Sequence, residues 1–465
     1  MKQINTLLAL LLCLFLTQAN AQNKHHCLQC GMVIRDNGHK ANAEMDGDTL
    51  HFDSAECLIN YLKSHGLKEF SSLEVSDYKT QTLVNAKTAT FLICKEIPSP
   101  MGANLTAFNN RKEAEETMSK KGGQLYSWEG ILEKFNTQQG GNPPKHHDHY
   151  RPDAHAPIGV MGDHLHPKGE LMLSFRVMTM TMDGNKAGTH KITNENLYNN
   201  YMVAPQHMFM DMYMLGVMYS PSNKLTLLAM QPVVIKHMDL TSKMMMNGTS
   251  TFVNFSTHSS GLGDLKLGLL YGFFNHHEKS LHLNANFNIP IGNIEKRDDT
   301  PMVPNAKLPY TMQLGSGTFD MTIGATYKEV YTNTSWGGQF LGTFRTGKNN
   351  QGYRLGNVYQ MNVWGAYKLS KNFSMSARFL GISEGSLMGF DPELNPMMVP
   401  TANPDNYGSD KIKSYIGFNV SFPVTSSLNA FRLGVEAGAP IYEHYKGEQM
   451  NENLTFNFGI KYNLL

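Results

Sequence analysis

From residue 169 to the last residue, apolar and polar side chains alternate in stretches of roughly ten residues, the length a tilted strand needs to cross a bilayer. Twelve such stretches are predicted, at 169–182, 206–220, 224–239, 261–274, 279–290, 318–331, 335–346, 354–368, 372–383, 411–423, 429–441 and 453–465. The connections after the first, third, fifth and ninth are long, with the methionine triplet Met244-Met245-Met246 in the third. Pro221-Ser222-Asn223, Asn275-His276-His277-Glu278 and Thr425-Ser426-Ser427 read as tight turns. Long connections alternating with short ones, over an even number of strands, predict an all-β transmembrane barrel with its loops on one side and its turns on the other. The last stretch fits, since Leu454, Phe456, Phe458, Ile460, Tyr462 and Leu464 alternate with polar or small residues. A soluble β-sandwich is the alternative.

Before residue 138 the pattern changes. Ala41–Glu44 and Thr49–Phe52 flank Asp46-Gly47-Asp48, a hairpin signal. Asp53 or Ser54 can cap a helix through Cys57, Leu58, Tyr61 and Leu62 that stops at Gly66. A strand leads to Cys94, and helices are predicted from Arg111 to Lys120 and from Trp128 to Phe135. Residues 24–137 therefore read as a small α+β domain. Gln138 to Pro144, rich in Gly and Pro, opens a linker that continues through a His-rich tract to residue 168.

The first 21 residues carry Lys2, an apolar run from Leu7 to Leu16 and Ala19-Asn20-Ala21, the pattern of a cleaved export signal. No later stretch approaches 18 uninterrupted apolar residues, so membrane association would come from the barrel. A formal net charge of +1 over 465 residues offers no footprint for nucleic acid. Export permits disulfides, so bridging stands beside metal binding for any pair among Cys27, Cys30, Cys57 and Cys94. Cys94, on an apolar strand, reads as a core residue.

Two neighbouring strands concentrate sulfur. Met178, Met180 and Met182 share one face of the first, and Met208, Met210, Met212 and Met214 share one face of the second. Arg176 lies on the methionine face of the first strand; a guanidinium is costly in lipid, so that face is expected to line the lumen. Asp211 then falls awkwardly on the outer face. Thioethers are soft ligands that select Cu(I), although methionine also serves as adaptable packing. A second soft cluster, Cys27-Leu28-Gln29-Cys30-Gly31-Met32, stands near the amino end. Cys-x-x-Cys puts two sulfurs on one turn; a two- or three-coordinate Cys and Met set suits Cu(I), whereas zinc more often takes four ligands. His146, His147, His149, His164 and His166 in the tract between the clusters are candidate linker ligands that could buffer or pass metal.

The motifs Cys27-Leu28-Gln29-Cys30-Gly31-Met32, Phe52-Asp53-Ser54-Ala55-Glu56-Cys57-Leu58, Val75-Ser76-Asp77-Tyr78 and Pro98-Ser99-Pro100-Met101-Gly102 occur in that order. They are followed by Ala107-Phe108 and Gly122-Gly123. In these the first domain resembles the NosL family of copper chaperones, over about a quarter of the chain. The resemblance implies a periplasm-facing Cu(I) site drawn from Cys27, Cys30, Met32 and Met101, with Cys57 a further candidate. The run from His155 through Gly159, Met161, His164 and Gly169 is similar to the lead-in of outer-membrane transporter barrels found with metal-resistance functions.

The expectation is an outer-membrane protein that captures, delivers or transports copper, with its first domain in the periplasm. Its expected partners are the copper ion, outer-membrane lipid and a periplasmic copper donor or acceptor. No catalytic constellation is evident, so no enzyme activity is expected. The alternatives are a structural barrel carrying a chaperone domain that metallates a separate reductase, and a mercury-processing enzyme like the organomercurial lyases.

Overall fold

The computed structural model describes residues 27–30, 34, 38–45, 48–65, 70–137, 151–246, 249–276, 279–422, 428 and 430–464. The export signal, Met32, His146, His147, His149 and the Gly/Pro-rich start of the linker lie outside the described residues. The chain divides into two compact units, residues 1–148 and 149–465.

In the first unit, β1 (Ala41–Met45) and β2 (Asp48–Phe52) form the expected hairpin, closing at Met45 opposite Asp48. With β3 (Ser72–Ser76) and β4 (Leu83–Asn85) they make a sheet of order β2-β1-β3-β4. A second sheet, β6-β5-β7, contains β5 (Thr90–Ile93), β6 (Leu105–Phe108) and β7 (Gln124–Tyr126). The helix Ala55–His65 packs its apolar face, Cys57, Leu58, Ile59 and Leu62, into one core with Phe52, Phe91, Trp128 and Ile131. Helices Arg111–Lys121 and Trp128–Thr137 follow. Asn110 caps the first of these by accepting from the Lys112 N–H, and Gly122 ends it at φ +73°, a left-handed conformation that favours glycine.

Two buried carboxylates hold this unit together. Asp77, fully buried, accepts from the backbone N–H groups of Lys79 (2.9 Å), Thr80 (2.8 Å) and Asn109 (2.6 Å) and from the Thr80 hydroxyl (3.1 Å). Its backbone bridges Ala107, so the Val75–Tyr78 and Ala107-Phe108 motifs join the two sheets. Glu56, at the first turn of its helix, accepts from the Ser99 hydroxyl and from the Leu105 N–H at 3.1 Å, tying down the 98–102 motif.

The second unit begins with β8 (Leu171–Gly188) and β9 (His190–Ile192), then β10 (Val203–Ser222), β11 (Leu225–Met246), β12 (Thr249–Leu262), β13 (Leu265–His276) and β14 (Lys279–Ile289). The short pair β15 (Arg297–Asp298) and β16 (Ala306–Lys307) precedes β17 (Asp320–Val330) and β18 (Thr334–Arg345). There follow β19 (Tyr353–Arg354), β20 (Val358–Lys368), β21 (Phe373–Glu384), β22 (Met388–Gly389), β23 (Ser409–Ser421) and β24 (Phe431–Asn463).

Eleven of these close on themselves in the order β8-β10-β11-β13-β14-β17-β18-β20-β21-β23-β24, every pair antiparallel. An odd ring cannot be antiparallel throughout, and β24 supplies the missing pass. Its first half, Arg432 to Tyr445, pairs with β23, and its second half, Gln449 to Asn463, pairs with β8. The Asn463 N–H bonds to the Ala430 carbonyl at 3.0 Å, so the run folds back between Tyr445 and Gln449. Counted as passes, the twelve stretches expected from the alternation are all present.

The long connection after the third predicted strand differs from its expected form. Only the start of β11, Leu225 to Met230, pairs with β13; the remainder pairs with β12 as a hairpin that extends past the barrel wall. Met244-Met245-Met246 therefore stands on a strand rather than in a loop, with Met245 exposed. The outward face carries Phe209, Leu215, Val217, Phe273, Phe287, Phe340, Phe379 and Ile416, all exposed. Asp211, on this face, accepts from the Thr179 hydroxyl at 2.7 Å, which explains how a carboxylate is tolerated there. The inward face is mostly polar, including buried Asn284, Asn286, Thr326, Lys328, Gln339, Asn362, Arg378, Glu436 and Lys461.

Burial pushes the Asp77 carboxyl up, but the N–H donors of Asn109, Thr80 and Lys79 outweigh it and hold the group below its ordinary value. A carboxylate held low stabilises the fold above the unfolded value of about 4, and that contribution is lost as pH falls through the folded value. Denaturation followed by Trp128 fluorescence is expected to show a stability difference between the parent and Asp77→Asn that is constant from neutral pH down to about 5 and shrinks below about 4. At pH 7 that difference should be about 1–3 kcal/mol.

Candidate functional sites

The Cys27–Cys30 turn is fastened to β2 by the Leu28 N–H, which donates to the His51 carbonyl at 2.9 Å. Just past β2 the chain enters the helix Ala55–His65, with Ser54 Oγ accepting from the Cys57 N–H at 3.3 Å. Ser54, rather than Asp53, is thus the cap. This leaves Asp53 and Cys57 facing the turn: Cys27, Cys30, Asp53 and Cys57 each offer a donor atom within 4.8 Å of the others. Cys57, the third sulfur, belongs to this group as fully as the Cys-x-x-Cys pair. Asp53 was missed because a residue at a helix start reads as a cap. Its only legible signal was a second polar residue before a cysteine in the helix's first turn. None of the four described cysteines is in a disulfide, and Cys94 lies in a separate core, its Sγ–H donating to the Lys121 carbonyl. Met101 packs, half-buried, against the core that contains the cluster.

The electrostatics of the cluster are those of one shared negative charge. Burial pushes the Cys27 thiol up, but hydrogen bonds from Cys30, Cys57 and the Asp53 backbone N–H outweigh it, and Cys27 is held as a thiolate. Donating to that thiolate holds the protons on Cys30 and Cys57, and both are pushed up. Burial and then the neighbouring Cys27 charge push the Asp53 carboxyl up to about 7. The cluster is a preformed, partly deprotonated set of soft donors.

In the barrel, directly opposed residues share a face, which puts the methionine rows in register. Met208 stands opposite both Met182 and Met238, Met210 opposite Met180, and Met212 opposite Met178. The lumenal orientation follows from Arg176, whose guanidinium donates to the carbonyls of Ile158 (2.7 Å) and Val160 (3.3 Å) inside the barrel. The row divides in two. Met208 and Met238 are packed with Leu240, Met312, Val399 and Met450 where the long loops fold inward. Met212, Met214 and Met230 line a lumenal cavity of about 580 Å³, which Met182 and Met208 also border.

Below this cavity lies a segment expected to be linker. Residues 151–168 are mostly buried and touch inward side chains around the ring: Lys328 Nζ donates to Ala154 O (2.7 Å), Gln339 to Met161 O (2.9 Å) and Asn284 to Gly162 O (2.9 Å). The linker expected to reach residue 168 therefore ends earlier, because the polar lumen needs partners that this segment supplies. Gly159 passes close to the wall. Its N–H donates to Glu436 at 2.8 Å, and a Cβ there would sit 2.4 Å from Arg378 and 2.5 Å from Glu436. His164 and His166, expected as linker ligands, lie buried in this plug together with His155.

Among known families, the one described as NosL matches residues 18–136. The first unit carries a NosL domain. The family described as the MetA-pathway of phenol degradation matches residues 219–382, within the barrel. Curated proteins give no match. Among solved structures, the copper chaperone NosL from Shewanella denitrificans is 24% identical, over 24% of this chain and 94% of its own, with a TM-score of 0.22. An outer membrane channel from Pseudomonas putida F1 is 16% identical, over 66% of this chain and 99% of its own, with a TM-score of 0.45. The NanC porin is 8% identical, over 63% and 100%, with a TM-score of 0.30. The NosL motifs coincide with the parts that build the thiol cluster and its two supporting carboxylates.

Gly159→Val is expected to displace the plug without altering the strands. In planar bilayers the variant should show a conductance at least several-fold above the parent's; equal conductance would mean that the plug does not close the lumen.

Proposed function

We propose that this chain is an outer-membrane protein that binds cuprous ion in its NosL domain and takes the same ion into a methionine-lined lumen. The convergence of three cysteine sulfurs, one of them a thiolate, carries this reading. Soft, low-coordinate donor sets favour Cu(I). Asp53 could complete a tetrahedral zinc set; the three sulfurs without it make the low-coordinate soft set that cuprous ion takes. The apolar outward face and polar lumen support the outer membrane. The plug's two ends meet tight-turn residues, Arg151 at Tyr331 and Lys168 at Asn223, so the preceding domain is assigned to the periplasmic side. Carriage on one chain raises the local concentration of loaded domain near the barrel. A periplasmic copper donor or acceptor would complete the path.

Anaerobic Cu(I) titration against a cuprous chelator is expected to give one tight equivalent in the first domain. Cys27→Ser with Cys30→Ser should weaken it by at least about a hundredfold, more than the loss of a supporting contact costs. Equal preference for zinc would overturn the reading. Because Cys30 and Cys57 hold protons that a metal must displace, affinity should rise with pH, and loading should release about two protons, measured with an indicator dye.

For the barrel, Met212→Leu with Met214→Leu should change cellular copper accumulation at little cost in stability, since the swap conserves volume. Met238→Leu with Met312→Leu, both fully buried in the packed cluster, should not. Identical behaviour of the two pairs would assign the whole row to packing. One observation favours a second reading, mercury processing: a protonated Asp53 beside thiols could protonate a carbon leaving mercury. Release of benzene from a phenylmercury salt would support it.

A further inference from the structure

The plug gathers a second set of metal-ligating side chains, remote in sequence from the cysteines and built from different chemistry. His155, Asp163 and His164 each offer a donor atom within 4.8 Å of the others, and all three are buried. The His164 ring lies 4.3 Å from that of His155 and 4.6 Å from that of His166, between centroids. Two of the rings are anchored by carboxylates through Nδ1: His164 to Asp163 at 2.9 Å and His166 to Glu170 at 3.1 Å. This is how metal-binding imidazoles are usually oriented, one nitrogen fixed by a carboxylate and the other left for the ion. The nitrogens that remain are the independent sign of a ligand. His166 Nε2 and His155 Nε2 are buried without a hydrogen-bond partner, in residues 97% and 92% removed from solvent, and His155 Nδ1 stands 3.6 Å from Asp163. Buried polar atoms in folded proteins are almost always satisfied, so the two orphan Nε2 atoms on the rings that flank or face His164 need a partner.

We propose that His155, Asp163, His164 and His166 form a binding site in the plug for a divalent first-row cation of the zinc and cupric class. Imidazole and carboxylate are borderline to hard donors, so this set prefers a divalent ion where the cysteine cluster prefers cuprous. The site lies within the segment that closes the lumen, and its ligands come from both ends of that segment. An ion there cross-links the plug, holding residues 155 and 164 together. Lys461 stands 3.5 Å from Asp163 and opposes the incoming charge, which sets the affinity below that of an unopposed site.

The test uses the full-length protein in detergent with Cys27→Ser, Cys30→Ser and Cys57→Ser, so that failure of the cuprous reading does not affect it. Cu²⁺ titration followed by electron paramagnetic resonance is expected to show a bound ion with couplings to at least two imidazole nitrogens. His155→Gln with His164→Gln should bind one equivalent less than this parent, and Lys461→Met should bind several-fold tighter. His166→Gln alone, which leaves the Asp163 contacts intact, should weaken binding about tenfold. It keeps the test open if the double variant fails to give the heat-resistant barrel band on gels. Stoichiometry unchanged in the double variant, or affinity unchanged in both His166→Gln and Lys461→Met, would overturn the site.

Discussion

Alternation along each strand puts apolar side chains toward lipid and obliges everything polar to turn into a closed lumen, and the second unit is organised around that obligation. Arg176, Lys328, Arg378, Glu436 and Lys461 are all inward and largely buried. Each needs a partner, because a buried charge without one costs several kcal/mol. Arg378 and Glu436 pair at 2.7 Å, but Arg176 and Lys328 find theirs only in the carbonyls of residues 151–168. The plug is therefore less an obstruction than the internal solvent of the barrel. Its Gly, Pro and His content reflects the tight path between opposing walls.

The first unit solves a different problem, holding sulfurs in reach of one another without letting them oxidise or collapse into the core. Asp77 and Glu56 fix the sheets and the helix start by accepting backbone and hydroxyl donors, so the cluster itself needs few supports of its own. The Asp53 backbone N–H and two neighbouring thiols stabilise Cys27 as a thiolate, the state a metal requires. Placing one cysteine in the first turn of a helix and two on the facing turn gives three directions of approach. A single Cys-x-x-Cys turn cannot supply them.

Much of this was legible in the chain, and the parts that were not share one cause. The strands could be counted because period-two alternation is local, and the cap and helix ends could be placed because Ser54, Asn110 and Gly122 act on neighbouring backbone. What failed depended on contacts distant in sequence. Residues 151–168 carry no period and many breakers, so they read as linker until the inward charges that claim them are known. The β11 and β12 extension was hidden because a hairpin that leaves the wall has no lipid face to alternate against. Asp53 was lost to the ordinary meaning of an acidic residue before a helix. The Cys27, Cys30 and Cys57 group was reached only through motif resemblance, since spacing alone joins two of the three.

The methionines show why a sequence pattern cannot by itself separate packing from chemistry. Met208 and Met238 share the face and register of Met212, yet they end in an apolar cluster with Met312 and Val399 contributed by the long loops. There a thioether does what leucine could do, with more adaptability. Met212, Met214 and Met230 lie outside that cluster and border open volume beside Lys236 and Glu452, which the loop residues Thr311, Gln313 and Thr401 also line. Leucine in those positions would keep the volume but remove three of the soft donors that border it. The alternation set the face; the depth to which the loops penetrate determines which of those sulfurs an ion in the lumen could meet.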